Sequence, residues 1–414
     1  MKKFTLIILA ILMGYGLISA LQILQEKSLV LNIEVPIRVF DGDEFVDNLT
    51  IKDIELFEDG IPQRIEALYL INQDLVKRKE EKKIFAPKTE RTFYLFFEVT
   101  KYNPKMGEAI DYFIENVLLP NDNLFAVTPL KTYRLKDKGI EIKPRKDIAD
   151  ELKGYLKKDT HIGSIEYTSA VSDIKDVAKA IAGYLSGDSL RLDSGSTQIE
   201  IVKDRGVSNL PEMITFYRIS LEKLETLRKL DEMKLMEFAE YLKERGGQKY
   251  VFMFYQREFV PQIDPKILVP VLSAFQNVEG MDLSQNLIDI EDLRFRAPEI
   301  DFKKVQQAYA DASTSIHFLF ITTPREMIPG VYFAERSTDI FATFAEISKA
   351  SGGMMDSSAN PNYLLNKAID ASENYYLLYY TPKNYRADGK FRRIDVKVKG
   401  WKYRILHRAG YIAD

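Results

Sequence analysis

Cysteine is absent from this chain, which excludes disulfides, thiolate nucleophiles, iron–sulfur clusters and cysteine-ligated zinc. Histidine is scarce: only His161, His317 and His407 occur in 414 residues, so zinc sites and hydrolytic triads have few parts to draw on. Neither sign of charge dominates. Lys and Arg total 58 against 61 Asp and Glu, a net −3, whereas a nucleic-acid binder usually carries a strong basic excess. Long hydrophobic runs are missing beyond the first two dozen residues, which excludes a multi-span membrane protein. These absences weigh against an enzyme and against a nucleic-acid partner.

What is present suits a folded chain of two or three domains with a sizeable core: 46% of residues are hydrophobic and 29% charged. Lys2 and Lys3 precede an uncharged run from Phe4 to Ala20, the charge-then-apolar pattern of a secretory signal, with a cleavage point after Ala20. The first acidic residue is Glu26, so the uncharged stretch also approaches the ~20 residues that span a bilayer, and an uncleaved anchor is the alternative. Either way the rest of the chain is expected to be periplasmic or secreted. No cysteine follows Ala20 to carry a lipid.

Four segments follow from the patterning. Residues 1–21 are the signal peptide or anchor. In 22–88, Leu29, Leu31, Ile33, Val35, Ile37 and Val39 alternate as in a half-buried strand, Asp41-Gly42 and Asp59-Gly60 mark turns, and a small β-domain ends in the charged run 77–83, read as a solvated linker. In 89–382, continuous apolar runs at 93–99, 250–255, 316–322 and 375–381 alternate with stretches of helical spacing at 104–119, 171–185, 211–245, 301–312, 338–350 and 361–373. Strands apolar on both faces and separated by helices predict an α/β fold with a doubly wound, mostly parallel sheet. In 383–414, Ile394, Val396 and Val398 alternate with charged residues and Gly400 follows; this predicts a hairpin that completes the N-terminal β-domain as a small sandwich. The Ser/Gly/Asp-rich stretch 186–196 reads as a loop.

Two end motifs and one internal helix end carry a family resemblance. Leu49-Thr50-Ile51-Lys52-Asp53-Ile54-Glu55-Leu56-Phe57-Glu58-Asp59-Gly60-Ile61-Pro62-Gln63 resembles the opening of bacterial von Willebrand factor type A-related proteins of the kind abundant in Acidobacteria. Tyr375-Tyr376-Leu377-Leu378-Tyr379-Tyr380-Thr381-Pro382, then Asp388-Gly389-Lys390-Phe391-Arg392-Arg393-Ile394, then Arg408-Ala409-Gly410-Tyr411, is similar to that family's ending. Ser348-Lys349-Ala350-Ser351-Gly352-Gly353 looks like its last helix and glycine stop. The resemblance implies a type A domain in the middle of the chain, with Mg²⁺ or Mn²⁺ held by oxygen ligands from three loops at the C-terminal edge of the sheet.

Set against that implied site, the loop after the first strand offers Glu98 and Thr100, but Tyr102 replaces the second hydroxyl and Lys101 adds a positive charge. The fourth-strand loop reads Gln256-Arg257-Glu258 where the family has a carboxylate or hydroxyl, and Thr168 is the candidate for the middle ligand. The metal site is therefore read as degenerate, with no cofactor expected; a Mg²⁺- or Mn²⁺-dependent adhesion module with unconventional ligands is the alternative, and an unrecognised envelope hydrolase the more remote one. The acidic cluster of Asp41, Asp43, Glu44 and Asp47 is broken by Phe45 and reads as a turn rather than a calcium loop. The expected partner is another envelope or extracellular protein, with membrane contact only through an uncleaved N-terminus and no oligomeric state specified. Lys101, Tyr102, Arg257, Phe259 and Ile263 are the candidate contacts, because the irregular stretch 256–298 carries more apolar side chains than a passive connector needs, so that it either docks a partner or packs on the domain.

Overall fold

The computed structural model describes residues 31–135, 139–185, 209–228, 231–264, 266, 284–295, 300–400 and 402–414. The N-terminal segment read as an export signal, the stretch 186–196 read as a loop and most of the stretch 264–299 lie outside them. Among the described residues no helix is long and apolar enough to cross a membrane.

β1 (Ile33–Asp41) alternates as its sequence predicts: Ile33, Val35, Ile37 and Val39 are buried on one face, while Glu34, Pro36, Arg38 and Phe40 take the other. β2 (Glu44–Phe45) folds back on it. β3 (Ile54–Glu58) and β4 (Ile61–Gln63) form a tight hairpin whose turn residues Asp59 and Gly60 both have positive φ, 49° and 79°, the backbone that Asp-Gly favours. β5 (Ile65–Asn72) pairs with β6 (Leu75–Glu81). β6 takes in much of the charged run read as a linker, and that reading is corrected. It is an edge strand, and edge strands carry charge on purpose, which keeps them from pairing further.

β7 (Arg91–Glu98) leads through Asn103, whose side chain accepts the Lys105 N–H, into α1 (Pro104–Tyr112). There follow β8 (Asn123–Val127), β9 (Thr132–Arg134), α2 (Gly139–Ile142), α3 (Arg145–Gly163), α4 (Ile165–Leu185), α5 (Leu210–Arg228) and α6 (Glu232–Lys243). Next come β10 (Gln248–Gln256), β11 (Phe259–Ile263), α7 (Ser284–Phe295), α8 (Phe302–Asp311), β12 (Thr314–Ile321) and β13 (Val331–Glu335). α9 (Thr338–Ser351), β14 (Met355–Ser358), α10 (Pro361–Glu373), β15 (Asn374–Tyr380), β16 (Phe391–Val398), β17 (Arg404–His407) and β18 (Gly410–Ile412) complete the chain.

These strands form four sheets among the described residues. One sheet has the order β14-β12-β10-β7-β8-β9, parallel except for β9. Phe93, Leu95 and Phe97 face a core shared with α1, α3 and α10, and Tyr94 faces a second core shared with α6, α8 and α9. A second sheet, β17-β1-β15-β5-β6 with β2 beside β1, is antiparallel throughout, as are β18-β16-β3-β4 and the ribbon β11-β13. The fold is therefore mixed α/β with mostly antiparallel sheets, and the doubly wound, mostly parallel architecture expected from sequence is overturned. Among the described residues parallel strands occur in only one sheet, and that sheet is itself mixed.

The reason lies in β15. Its residues from Tyr375 to Tyr380 are all buried, like those of a central parallel strand, but it runs antiparallel between β1 and β5. Tyr376, Leu378 and Tyr380 face a core that also receives Ile54, Leu56, Ile394 and Val396, and Tyr375, Leu377 and Tyr379 pack on the opposite side. An unbroken apolar run reports burial on both faces and carries no information about strand direction.

The expected C-terminal hairpin is also revised. β16 pairs with β3 and β18, whereas β17 pairs with β1, so the two strands enter different sheets. The core beneath β11 is separate again, built from α4, α5, α7, β11 and β13.

Candidate functional site

The parallel strands end in a row. Glu98, the last residue of β7, lies opposite Tyr255 of β10, so the loop after β7 meets the side chain of the next β10 residue, Gln256. Gln256 Oε1 accepts the backbone N–H groups of both Thr100 and Lys101, each at 3.2 Å. One carboxamide thus holds the loop shut where the resemblance implies converging ligands.

Glu98 reaches solvent, yet enough protein surrounds it that burial, followed by the charge of Glu258, pushes its carboxyl above the ordinary range. Lys101 is exposed. Tyr102 is half-buried against the core of α1 and α3, and burial raises its hydroxyl, with Lys153 partly offsetting the effect. The ring can lie there because Gly107 has no side chain: a Cβ at Gly107 would come within 2.8 Å of the Tyr102 hydroxyl. Arg257 forms an ion pair with Glu335, Nε to Oε1 at 3.0 Å, and its guanidinium lies over the rings of Phe259 and Phe320.

Other candidates are placed elsewhere. Thr168 sits inside α4, where its hydroxyl donates to the Ser164 carbonyl at 2.8 Å, so it is not a loop ligand. Ile263 is 1% exposed in the core beneath β11, and Phe259 is packed against the same core. The stretch 259–263 is therefore a strand packed on the domain, which removes Ile263 as a partner contact and leaves Phe259 at most an edge for one. His161 lies in the last turn of α3, not in a loop, and His317 is fully buried in β12.

The sequence does not signal the ionic network beside this edge. Arg228, at the end of α5 with a side chain only 3% exposed, donates from Nε to Glu258 at 2.7 Å, pairs with Glu225 at 3.3 Å and donates from Nη2 to the Arg336 carbonyl at 2.5 Å. Arg336 donates to Glu225 at 3.2 Å and to the Leu293 carbonyl at 2.9 Å. Burial opposes the charge on Arg228, but Glu258 and Glu225 outweigh it and raise the pKa further. Burial and then Glu258 push the hydroxyls of Tyr167 and Tyr255 well up. These bonds tie the end of α5 to the loop before β11, to Arg336 after β13 and, through Arg336, to α7.

Chemically the edge suits a hard cation poorly. A divalent ion needs several free oxygen ligands, whereas Gln256 Oε1 is already used twice and a guanidinium sits next in sequence. Among the described residues no three His, Cys, Asp or Glu side chains are grouped to hold a metal ion.

No family model matches the chain, and no curated protein matches it. Among solved structures it is similar to the human COPII-coat protein Sec24c, at 7% identity and a TM-score of 0.30 over 79% of this chain and 44% of that one. The chain thus spans less than half the length of that protein, and the likeness is too slight to bear on fold or role.

Proposed function

We propose that the chain is an exported, non-catalytic protein-interaction module related to the bacterial von Willebrand factor type A proteins, whose metal-binding edge has decayed. The supporting observation is Gln256. By taking both loop N–H groups, it gives the β7–α1 loop a fixed shape without a metal ion, and a loop of fixed shape can present side chains to a partner. Lys101 and Tyr102 on that loop, with the partly exposed Arg257 beside it, are the contacts that remain after Ile263 is withdrawn to the core.

The partner is another envelope or extracellular protein, reached after export directed by the N-terminal segment. Calorimetry with Mg²⁺ and Mn²⁺ tests the decayed site: no micromolar binding is expected, and micromolar binding lost in Glu98→Ala would establish a metal-dependent adhesion module instead. Recovery of the protein from the cytosolic fraction of its host would refute export. For the interaction itself, Lys101→Glu should abolish capture of the envelope partner while leaving the fold intact.

A further inference from the structure

The two sequence stretches around Glu58 and Asp388 serve no purpose at the edge just described. They are far apart in the chain, with Asp59 and Arg393 separated by 334 positions, yet they line one cavity of about 720 Å³. The pairing of β3 with β16 brings them together, and Asp59 and Arg393 exchange two bonds, each 2.9 Å.

The walls are stiff. Gly389 N–H donates to the Ala413 carbonyl at 2.8 Å, Ala413 N–H returns to the Lys390 carbonyl at 3.0 Å, and Arg392 Nη2 holds the Arg386 carbonyl at 3.2 Å and Asp388 at 2.7 Å. Such bracing fixes the loop before any ligand arrives.

Glu58 forms the floor. It is 8% exposed, and its Oε2 receives the hydroxyls of Tyr380 and Tyr411 at 2.6 and 3.0 Å. Its Oε1 takes no hydrogen bond among the described residues, and Glu58 is one of the residues that line the cavity. At the rim, Arg386 and Lys390 are exposed, and among the described residues neither side chain is ion-paired. The acids between them are already occupied: Arg392 takes Asp388 and lies 3.9 Å from Asp59.

The cavity lining therefore includes one carboxylate oxygen without a hydrogen bond and two cations without an ion pair among the described residues. A simple anion would meet Glu58, a simple cation would meet Arg386 and Lys390, and an uncharged ligand would leave both unmatched. We propose that the cavity binds a short peptide by its free ends, the terminal ammonium on Glu58 and the terminal carboxylate on Arg386 and Lys390. A tripeptide spans at most ~10 Å, and the volume falls in the range of small-ligand sites. Exposed Ile61 and half-buried Tyr385 provide apolar contact for the side chains between the ends.

Calorimetry on the full chain with trialanine, its N-acetyl form, its C-terminal amide and maltotriose tests the assignment. Trialanine should bind, and each blocked form should bind at least about tenfold more weakly, the loss of one charge-assisted contact. In Arg386→Ala/Lys390→Ala the preference for the free carboxylate over the amide should vanish while the preference for the free amine persists. Glu58→Gln should show the converse. Because the Gln variant could disturb the two tyrosines, the rim variant, built on exposed side chains, is decisive by itself. No trialanine binding at about 10 mM, equal binding of the blocked forms, or binding of maltotriose in its place would overturn the proposal.

Discussion

The Ser372 hydroxyl stands 3.1 Å from His317 Nε2 and gives its proton to the Ala368 carbonyl at 2.6 Å. A hydroxyl has one hydrogen, so the imidazole must donate from Nε2, and Nδ1 is left as a bare acceptor without a partner among the described residues. The ring stacks on Phe252 with centroids 5.0 Å apart. Burial, and then the charge of Arg38, lower its pKa to about 3. In the unfolded chain it titrates near 6.5. Between these values the unfolded state binds the extra proton, so this contribution to stability is complete above about pH 6.5 and is lost as pH falls toward 3, at up to about 1.4 kcal/mol per pH unit. Urea unfolding at pH 7 and pH 4.5 checks this: His317→Phe should lose less stability between the two than the wild type, and an equal loss would mean that the ring is not the titrating group.

Arg91 and Asp122 form a buried pair, each side chain 3% exposed, with Nε to Oδ1 at 3.0 Å and Nη2 to Oδ2 at 2.5 Å. Asp122 also accepts the Leu119 N–H at 2.7 Å. Asp122→Ala strands a guanidinium that cannot shed its charge, and it should cost about 3–5 kcal/mol in chemical denaturation. The double replacement Arg91→Met/Asp122→Leu should recover much of that loss; if the double variant is as unstable as the single one, the charges are not the cause.

Gly353 is held by close approach rather than by its φ. A Cβ there would lie 1.9 Å from the Ile316 carbonyl oxygen, which belongs to the rigid backbone of β12. Gly353→Ala should destabilise the protein by about 3 kcal/mol, measured as a lowered denaturation midpoint. Gly154→Ala, where nothing lies within 4 Å on a helix, should be neutral or slightly stabilising, and it serves as the control.

Gln256→Ala should release the β7–α1 loop. The amides of Thr100 and Lys101 should then exchange faster with solvent, with a stability loss of about 1–2 kcal/mol, while the amides within β7 stay protected. Unchanged exchange at Thr100 would show that other groups hold the loop.

Much of the secondary structure was legible in the residues, and less of the architecture. The apolar runs of β7, β10 and β12 and the spacing of Met106, Ile110 and Phe113 mark these elements directly, because burial on two faces or on one stripe leaves a period in the sequence. Strand direction leaves none, which is why β15 was misplaced. Charge misled at β6, where Lys77 and Lys79 reflect an exposed edge rather than a missing strand. At the site, Glu98, Thr100 and Lys101 could be located through the family resemblance, but the role of Gln256 depends on the β7–β10 register, which no local pattern encodes. The Arg228–Glu258 bond joins residues 30 positions apart on a helix and a strand-end loop, and neither carries a signal of the other. The Glu58 cavity is similar: its walls are recognisable as turns, while their meeting depends on β3 finding β16.

The position of β15 also sets a schedule for synthesis. β1 and β5 are complete once the ribosome passes Asn72, but the strand that must lie between them ends at Tyr380, some 300 residues later. At about 5–20 residues per second the wait is about 15–60 s. Throughout it the inner edges of β1 and β5 have no native neighbour, and open strand edges of this kind pair readily with other chains. The antiparallel sheet therefore cannot close around its central strand until Tyr380 has been made, and its two flanking strands must be kept from other edges until then.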